Sequence, residues 1–119
     1  VKLGAKKAVM TDIDVVAVET AKRNAKLNGV ENKCLITLDN LLDKNDAVGD
    51  IVVANITADV LCVLASDLGK HLKQGSTLIL SGILREKAEE VINTYLPLGY
   101  QIINSISKGE WVALALLKV

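Results

Sequence analysis

"AVMTDIDVVAVETAKRNAKLNGV", residues 8–30, runs from a short apolar stretch through two aspartates straight into a helical pattern. Residues 7–11 predict a strand. Asp14 is placed to N-cap the helix that follows, its carboxylate accepting from free N–H groups of the first turn. Val18, Ala21 and Ala25 recur at i, i+3 and i+7 on one face, and Glu19 and Arg23 have the spacing of an i,i+4 pair on another. Asn28-Gly29 closes the helix, Gly29 suiting the left-handed position just past its end. A strand that ends in an acid and opens into a helix reads as the second strand and helix of a nucleotide-binding α/β domain.

The rest of the chain continues that alternation. A short strand is expected at Cys34–Leu38, then a polar loop over Asp39–Gly49 long enough to hold a short helix. Ile51–Ala54 is continuously apolar, as expected for a strand covered on both faces. Residues 57–72 predict a helix, Gln74-Gly75 a turn, Thr77–Leu80 a strand and Arg85–Leu96 a third helix, stopped by Pro97 and Gly99. Two strands finish the pattern, Gln101–Ile106 and Trp111–Leu117. The connection Ser107-Lys108-Gly109 is so short that they must be antiparallel neighbours. The order β-α-β-β-α-β-α-β-β implies an α/β fold, a Rossmann-like sheet mostly parallel with a terminal antiparallel strand.

Composition narrows the class of function. With 119 residues the chain holds one domain at most, and with one Trp, two Tyr and no Phe its core must be built from aliphatic side chains. Lys and Arg number 14, as do Asp and Glu. With no basic stripe, direct nucleic-acid binding is not expected. The apolar runs are far shorter than the roughly 20 residues that span a bilayer, so no membrane partner is expected. Cys34 and Cys62 are far apart, and with a single His neither a metal site nor a disulfide scaffold is expected. Both read as small buried apolar residues in a reducing cytoplasm.

Three polar side chains stand at carboxyl ends of predicted strands, the edge where open α/β sheets bind ligands. Asp12 can accept from both hydroxyls of a ribose diol; alternatively it only ends its strand. Asp39 can reach an adenine amino group, or it is a solvated loop acid. Asn55 can donate and accept, orienting a substrate amine while binding the cofactor; alternatively it terminates a strand and starts a turn. His71, at a helix end beside Lys70, reads as structural. Glu110-Trp111 either packs beside the site or begins the last strand.

Together "TDIDVVAVETAKRNAKLNGV", "DIVVANITADVL", "LKQGSTLILSGIL" and "KGEWVALALL" resemble class I S-adenosylmethionine-dependent methyltransferases. More narrowly, they resemble the catalytic domain of the bacterial methyltransferases that modify protein eleven of the large ribosomal subunit. The acid-plus-helix motif is widespread in that class, while its combination with A-N-I-x-A, S-G-I-L and a terminal G-E-W is far more discriminating. The resemblance implies S-adenosylmethionine as cofactor, with Asp12 on its ribose and Asn55 where methyl donor and amine meet. It also implies a large-subunit ribosomal protein as partner, methylated on lysine side chains and its N-terminal amine. The sulfonium methyl is already activated, so positioning and desolvation dominate and no dedicated base is required.

One departure qualifies the resemblance. The family's G-x-G-x-G loop lies roughly 20 residues before the ribose acid, and only eleven residues precede Asp12. Residues 1–119 are therefore expected to be the C-terminal part of a catalytic domain, without its first strand and helix and inactive alone. Base-methylating relatives carry N-P-P-Y where this chain has Asn55-Ile56-Thr57-Ala58, which lacks the aromatic that stacks on an extruded base. Another class I methyltransferase, acting on nucleic acid or a small molecule, is one alternative. A nicotinamide-dependent dehydrogenase is a second and a non-catalytic interaction module a third.

Overall fold

Strand β1 (Ala8–Asp12), helix α1 (Val15–Leu27) and strand β2 (Cys34–Leu38) open the computed structural model, which describes residues 1–39 and 47–119. The short helix entertained within Asp39–Gly49 falls largely on residues 40–46, outside the described residues. The chain divides into two units, Val1–Ala47 and Val48–Val119.

In the first unit β1 and β2 pair in parallel, in register from Ala8 opposite Cys34 to Asp12 opposite Leu38. Asp14 caps α1 as the sequence predicts: its backbone is extended and its carboxylate accepts from Val16 N at 2.9 Å. At the other end Gly29 takes φ +68°. Val30 N then donates to Ala25 O and Gly29 N to Lys26 O, the paired closure that a left-handed residue makes possible. Val18 and Ala25 are buried and Ala21 half-buried, so the apolar face points inward. Glu19 and Arg23 are not among the four ion pairs of the described residues. Both are exposed, where ordering two long side chains costs about as much as the pair returns, ~0–1 kcal/mol.

The second unit holds strands β3 (Gly49–Asn55), β4 (Leu72–Leu84), β5 (Tyr100–Lys108) and β6 (Trp111–Lys118), with helices α2 (Ala58–Gly69) and α3 (Ala88–Tyr95). The strand order is β3-β4-β6-β5, with β3 parallel to β4 and β6 antiparallel to both β4 and β5. Only β6 therefore runs against the others. Helix α2 packs on β4, and α3 on α2. Leu61, Leu78, Leu80, Ile83, Val91 and Leu116 are fully buried between these layers, each worth roughly 1.5–3 kcal/mol relative to exposure. Two tyrosines complete this otherwise aliphatic core, their rings tilted with centroids 5.6 Å apart. Tyr95 satisfies its buried hydroxyl by donating to Leu61 O at 2.6 Å.

Several boundaries differ from the sequence expectation. Ile51–Ala54 is not covered on both faces, since Ile51 and Val53 are 63% and 65% exposed. β3 is an edge strand, and Val52 and Ala54 share the face of buried Leu78 and Leu80, whereas Ile51 and Val53 share that of half-buried Thr77 and Ile79. Helix α2 stops at Gly69 instead of running to residue 72, because Gly49 N donates to His71 O and draws the following backbone into the sheet. Lys118 Nζ caps that helix end, donating to Gly69 O at 2.6 Å and Leu72 O at 3.0 Å. The Gln74-Gly75 turn is a bulge inside a longer β4, where Gly49 to Ile51 spans Leu72 to Thr77 and Gly75 takes φ +86°.

The third helix is α3 with a single 3-10 turn at either end, Arg85–Lys87 and Leu96–Leu98. The final hairpin turns at Gly109-Glu110, later than Ser107-Lys108-Gly109, because pairing extends to Lys108 opposite Trp111. Cys34 and Cys62 are free thiols but half-buried, not buried; Cys62 Sγ accepts from Thr94 Oγ1 at 3.4 Å. Among the described residues no helix is long and apolar enough to cross a membrane.

Candidate functional site

Each parallel strand pair ends, at its carboxyl edge, on side chains that the sequence singled out. In the first unit Asp12 is the last residue of β1, and Asp39 follows β2 immediately. Their backbones meet, Asp39 N donating to Asp12 O at 3.0 Å. Asp12 is exposed, and its Oδ1 accepts from Asp14 N at 2.9 Å, which turns the chain into α1. Asp12 thus ends its strand as the structural reading proposes, yet one oxygen suffices for that. The other makes no hydrogen bond among the described residues.

Asp39 is not a solvated loop acid. It is only 8% exposed, and its Oδ1 is buried without a hydrogen-bond partner. An unmet buried acceptor costs about 1–3 kcal/mol, and such atoms in folded proteins call for a specific explanation. Two neighbouring carboxylates, both acceptor-only when ionised, suit a ligand rich in N–H and O–H donors. An adenine amino group and a ribose diol have that chemistry.

In the second unit Asn55 ends β3, opposite Ser81 of β4. It is exposed, and its amide makes no hydrogen bond among the described residues. Beside it lies Gly82 of the S-G-I-L stretch, a residue to which the sequence alone assigns no role. Gly82 takes φ +77°, and a Cβ there would stand 2.6 Å from Asn55 Oδ1 and 3.2 Å from Ile56 O. Gly82 lies two residues past the predicted strand Thr77–Leu80, but the structure carries β4 through it to Leu84, and a glycine inside a strand marks a bulge or a close approach. Both hold: Leu80 to Ile83 on β4 opposes Leu114 to Val112 on β6, one residue in excess.

Just beyond the bulge, Arg85 fastens β4 to the hairpin turn. Its N donates to Glu110 O and its Nη2 to Gly109 O, each at 2.7 Å. Trp111 begins β6 opposite Leu84 and is 55% exposed. Among the described residues no group of three or more His, Cys, Asp or Glu is arranged to hold a metal ion.

Comparison with known proteins gives these edges a family. The model of the family described as ribosomal protein L11 methyltransferase (PrmA) matches residues 1–118. A ribosomal protein L11 methyltransferase of Clostridium botulinum is 43% identical over 110 residues, 92% of this chain and 35% of that protein. The one from Desulforamulus reducens is 40% identical over 112 residues, 94% of this chain and 36% of that protein. The chain thus spans about a third of the length of these curated relatives.

Among solved structures, a ribosomal protein L11 methylase from Lactobacillus delbrueckii superposes with TM-score 0.92 at 32% identity. It covers 98% of this chain, and 60% of that one is matched. A tRNA m1G37 methyltransferase of M. jannaschii, 20% identical, has TM-score 0.82 over 96% of this chain and 36% of its own, and shares the fold alone. The methyltransferase sheet, the strand-end acids and a match across nearly every residue lead to one assignment: this chain belongs to the ribosomal protein L11 methyltransferase family.

Proposed function

We propose that this chain is the C-terminal part of the catalytic domain of an S-adenosylmethionine-dependent protein methyltransferase. Its acceptors are amines of a large-subunit ribosomal protein, lysine side chains and the N-terminal amine, and it works in the cytoplasm. The observation that carries the reading is the family match over residues 1–118. The unpartnered Asp39 oxygen at a strand's carboxyl edge supports a cofactor there.

In this reading Asp12 accepts from the ribose hydroxyls with the oxygen that Asp14 leaves unused, and Asp39 Oδ1 accepts from the adenine amino group. Asn55 lines the place where methyl donor and amine meet, its amide able to accept from the amine and donate to the cofactor. When bound, S-adenosylmethionine supplies a methyl group already activated by the sulfonium charge. The chain's residues then contribute orientation and exclusion of water, effects that account for large rate factors without a covalent intermediate. The acceptor amine must be neutral to attack, and water can take its proton.

The test uses the parent protein with methyl-labelled S-adenosylmethionine and purified ribosomal proteins and RNA. Label is expected in one large-subunit protein, on amine nitrogens. Label found only in RNA or in small molecules would overturn the acceptor assignment while leaving the reaction class intact. Residues 1–119 contain no G-x-G-x-G, so calorimetry on these residues alone is expected to show little cofactor binding. Tight binding there would place the whole cofactor site within this chain.

A further inference from the structure

We infer that Gly82 is the positioning residue for Asn55: the missing side chain on β4 decides which way the Asn55 amide turns. The inference rests on the reading of Asn55 as the group at the meeting point of donor and amine. Nothing else among the described residues holds that amide. It ends an edge strand, is exposed and makes no hydrogen bond. The last torsion of an asparagine side chain is broad and soft, so its orientation falls to whatever bounds it sterically.

Gly82 leaves the present rotamer open, and any side chain in its place would close it. A Cβ at residue 82 would lie 2.6 Å from Asn55 Oδ1, closer than a carbon and a non-bonded oxygen can sit. Of its next neighbours, Ile56 O at 3.2 Å needs to give way by only a few tenths of an ångström, and Ile56 N at 3.6 Å is in ordinary contact. What yields to an added methyl group is therefore the tip of Asn55, which swings from its present rotamer. The one-residue bulge of β4 brings Gly82 to this place, and the two Arg85 hydrogen bonds pin the strand directly after it.

Backbone conformation separates the two possible reasons for glycine. Gly75 on the same strand has φ +86°, close to the +77° of Gly82, but a Cβ there meets nothing within 4 Å. Gly75→Ala therefore carries the left-handed backbone strain without the contact and serves as the matched control.

The experiment measures methyl transfer by the parent enzyme to its ribosomal-protein acceptor for Gly82→Ala, Asn55→Ala, their double variant and Gly75→Ala. Gly82→Ala is expected to lower kcat about 10- to 100-fold, the scale of an ångström-sized misplacement, with a smaller change in KM. The double variant should be no slower than Asn55→Ala, as for two residues acting through one contact, and Gly75→Ala should keep the parent kcat. The Asn55 side-chain amide NMR signals should move in Gly82→Ala and stay in Gly75→Ala. Multiplying losses in the double variant, or an equal loss in Gly75→Ala, would overturn the inference. Full kcat in Asn55→Ala would instead sink the role given to Asn55, while its amide signals still report whether Gly82 orients it. If Gly82→Ala does not fold, the double variant, with no Oδ1 to meet, should; failure of both would also overturn the inference.

Discussion

Replacing Asp39 distinguishes a carboxylate kept for a ligand from one kept for the fold. Asp39 is 8% exposed and its Oδ1 has no partner, a burial that costs about 1–3 kcal/mol. Asp39→Ala removes that cost, and the backbone bond from Asp39 N to Asp12 O survives it. Without cofactor, the variant's stability should equal or exceed the parent's, whereas a typical substitution destabilises by about 1 kcal/mol. Cofactor affinity should move the other way. Losing a hydrogen bond to a charged acceptor costs about 1.5–3 kcal/mol, roughly 10- to 150-fold in Kd. Thermal unfolding of the parent protein with and without S-adenosylmethionine, together with calorimetry, reads both quantities. A lower Tm without cofactor and an unchanged Kd would show that the carboxylate serves the fold and refute the reasoning.

Asp14→Ala removes the acceptor of Val16 N and should cost about 1 kcal/mol in chemical denaturation, with cofactor affinity unchanged. Gly29→Ala would meet no atom within 4 Å but must hold φ +68°; a loss of about 1 kcal/mol is expected from backbone strain alone. Tyr95→Phe deletes the 2.6 Å bond to Leu61 O and should lower stability by about 1 kcal/mol in urea unfolding. Burial pushes the Tyr95 phenol up from its ordinary 10.0, with the neighbouring Tyr100 and Cys62 adding to the shift, and burial also raises Tyr100. Both phenols are kept neutral by folding, so their contribution is intact below pH 10 and is lost as pH rises beyond it. The urea midpoint should fall in that alkaline range, and a Tyr95→Phe/Tyr100→Phe variant should lose the dependence.

Local chemistry was legible in the sequence wherever a residue acts on its immediate neighbours. Asp14 as cap and Gly29 as helix stop depend on a few consecutive residues, and the structure agrees with both. The strand-end positions of Asp12 and Asn55 were readable for the same reason. What depends on partners distant in sequence was not. The run Ile51–Ala54 has the composition of a doubly covered strand, yet whether the face of Ile51 and Val53 is covered is decided by what distant parts of the chain pack on it. Gly82 meets Asn55 across 27 positions of the chain, through a register that no local pattern encodes. The burial of Asp39 likewise reflects its surroundings, since its residue type alone predicts exposure.

The place of β6 between β4 and β5 has a consequence for synthesis on the ribosome. Among the described residues β5 pairs with β6 alone, so when Lys108 has been made neither β5 nor the β6-facing side of β4 has its neighbour. The hairpin through Gly109-Glu110 is local and can close as soon as its second arm emerges. It then docks on β4 as a two-stranded piece, and Leu114 and Leu116 come to lie opposite Leu80 and Leu78. The four-stranded order of this unit is thus completed only when the eight residues of β6 have been made, and until then the nascent chain exposes two more strand edges, on β4 and β5, than the folded sheet leaves open.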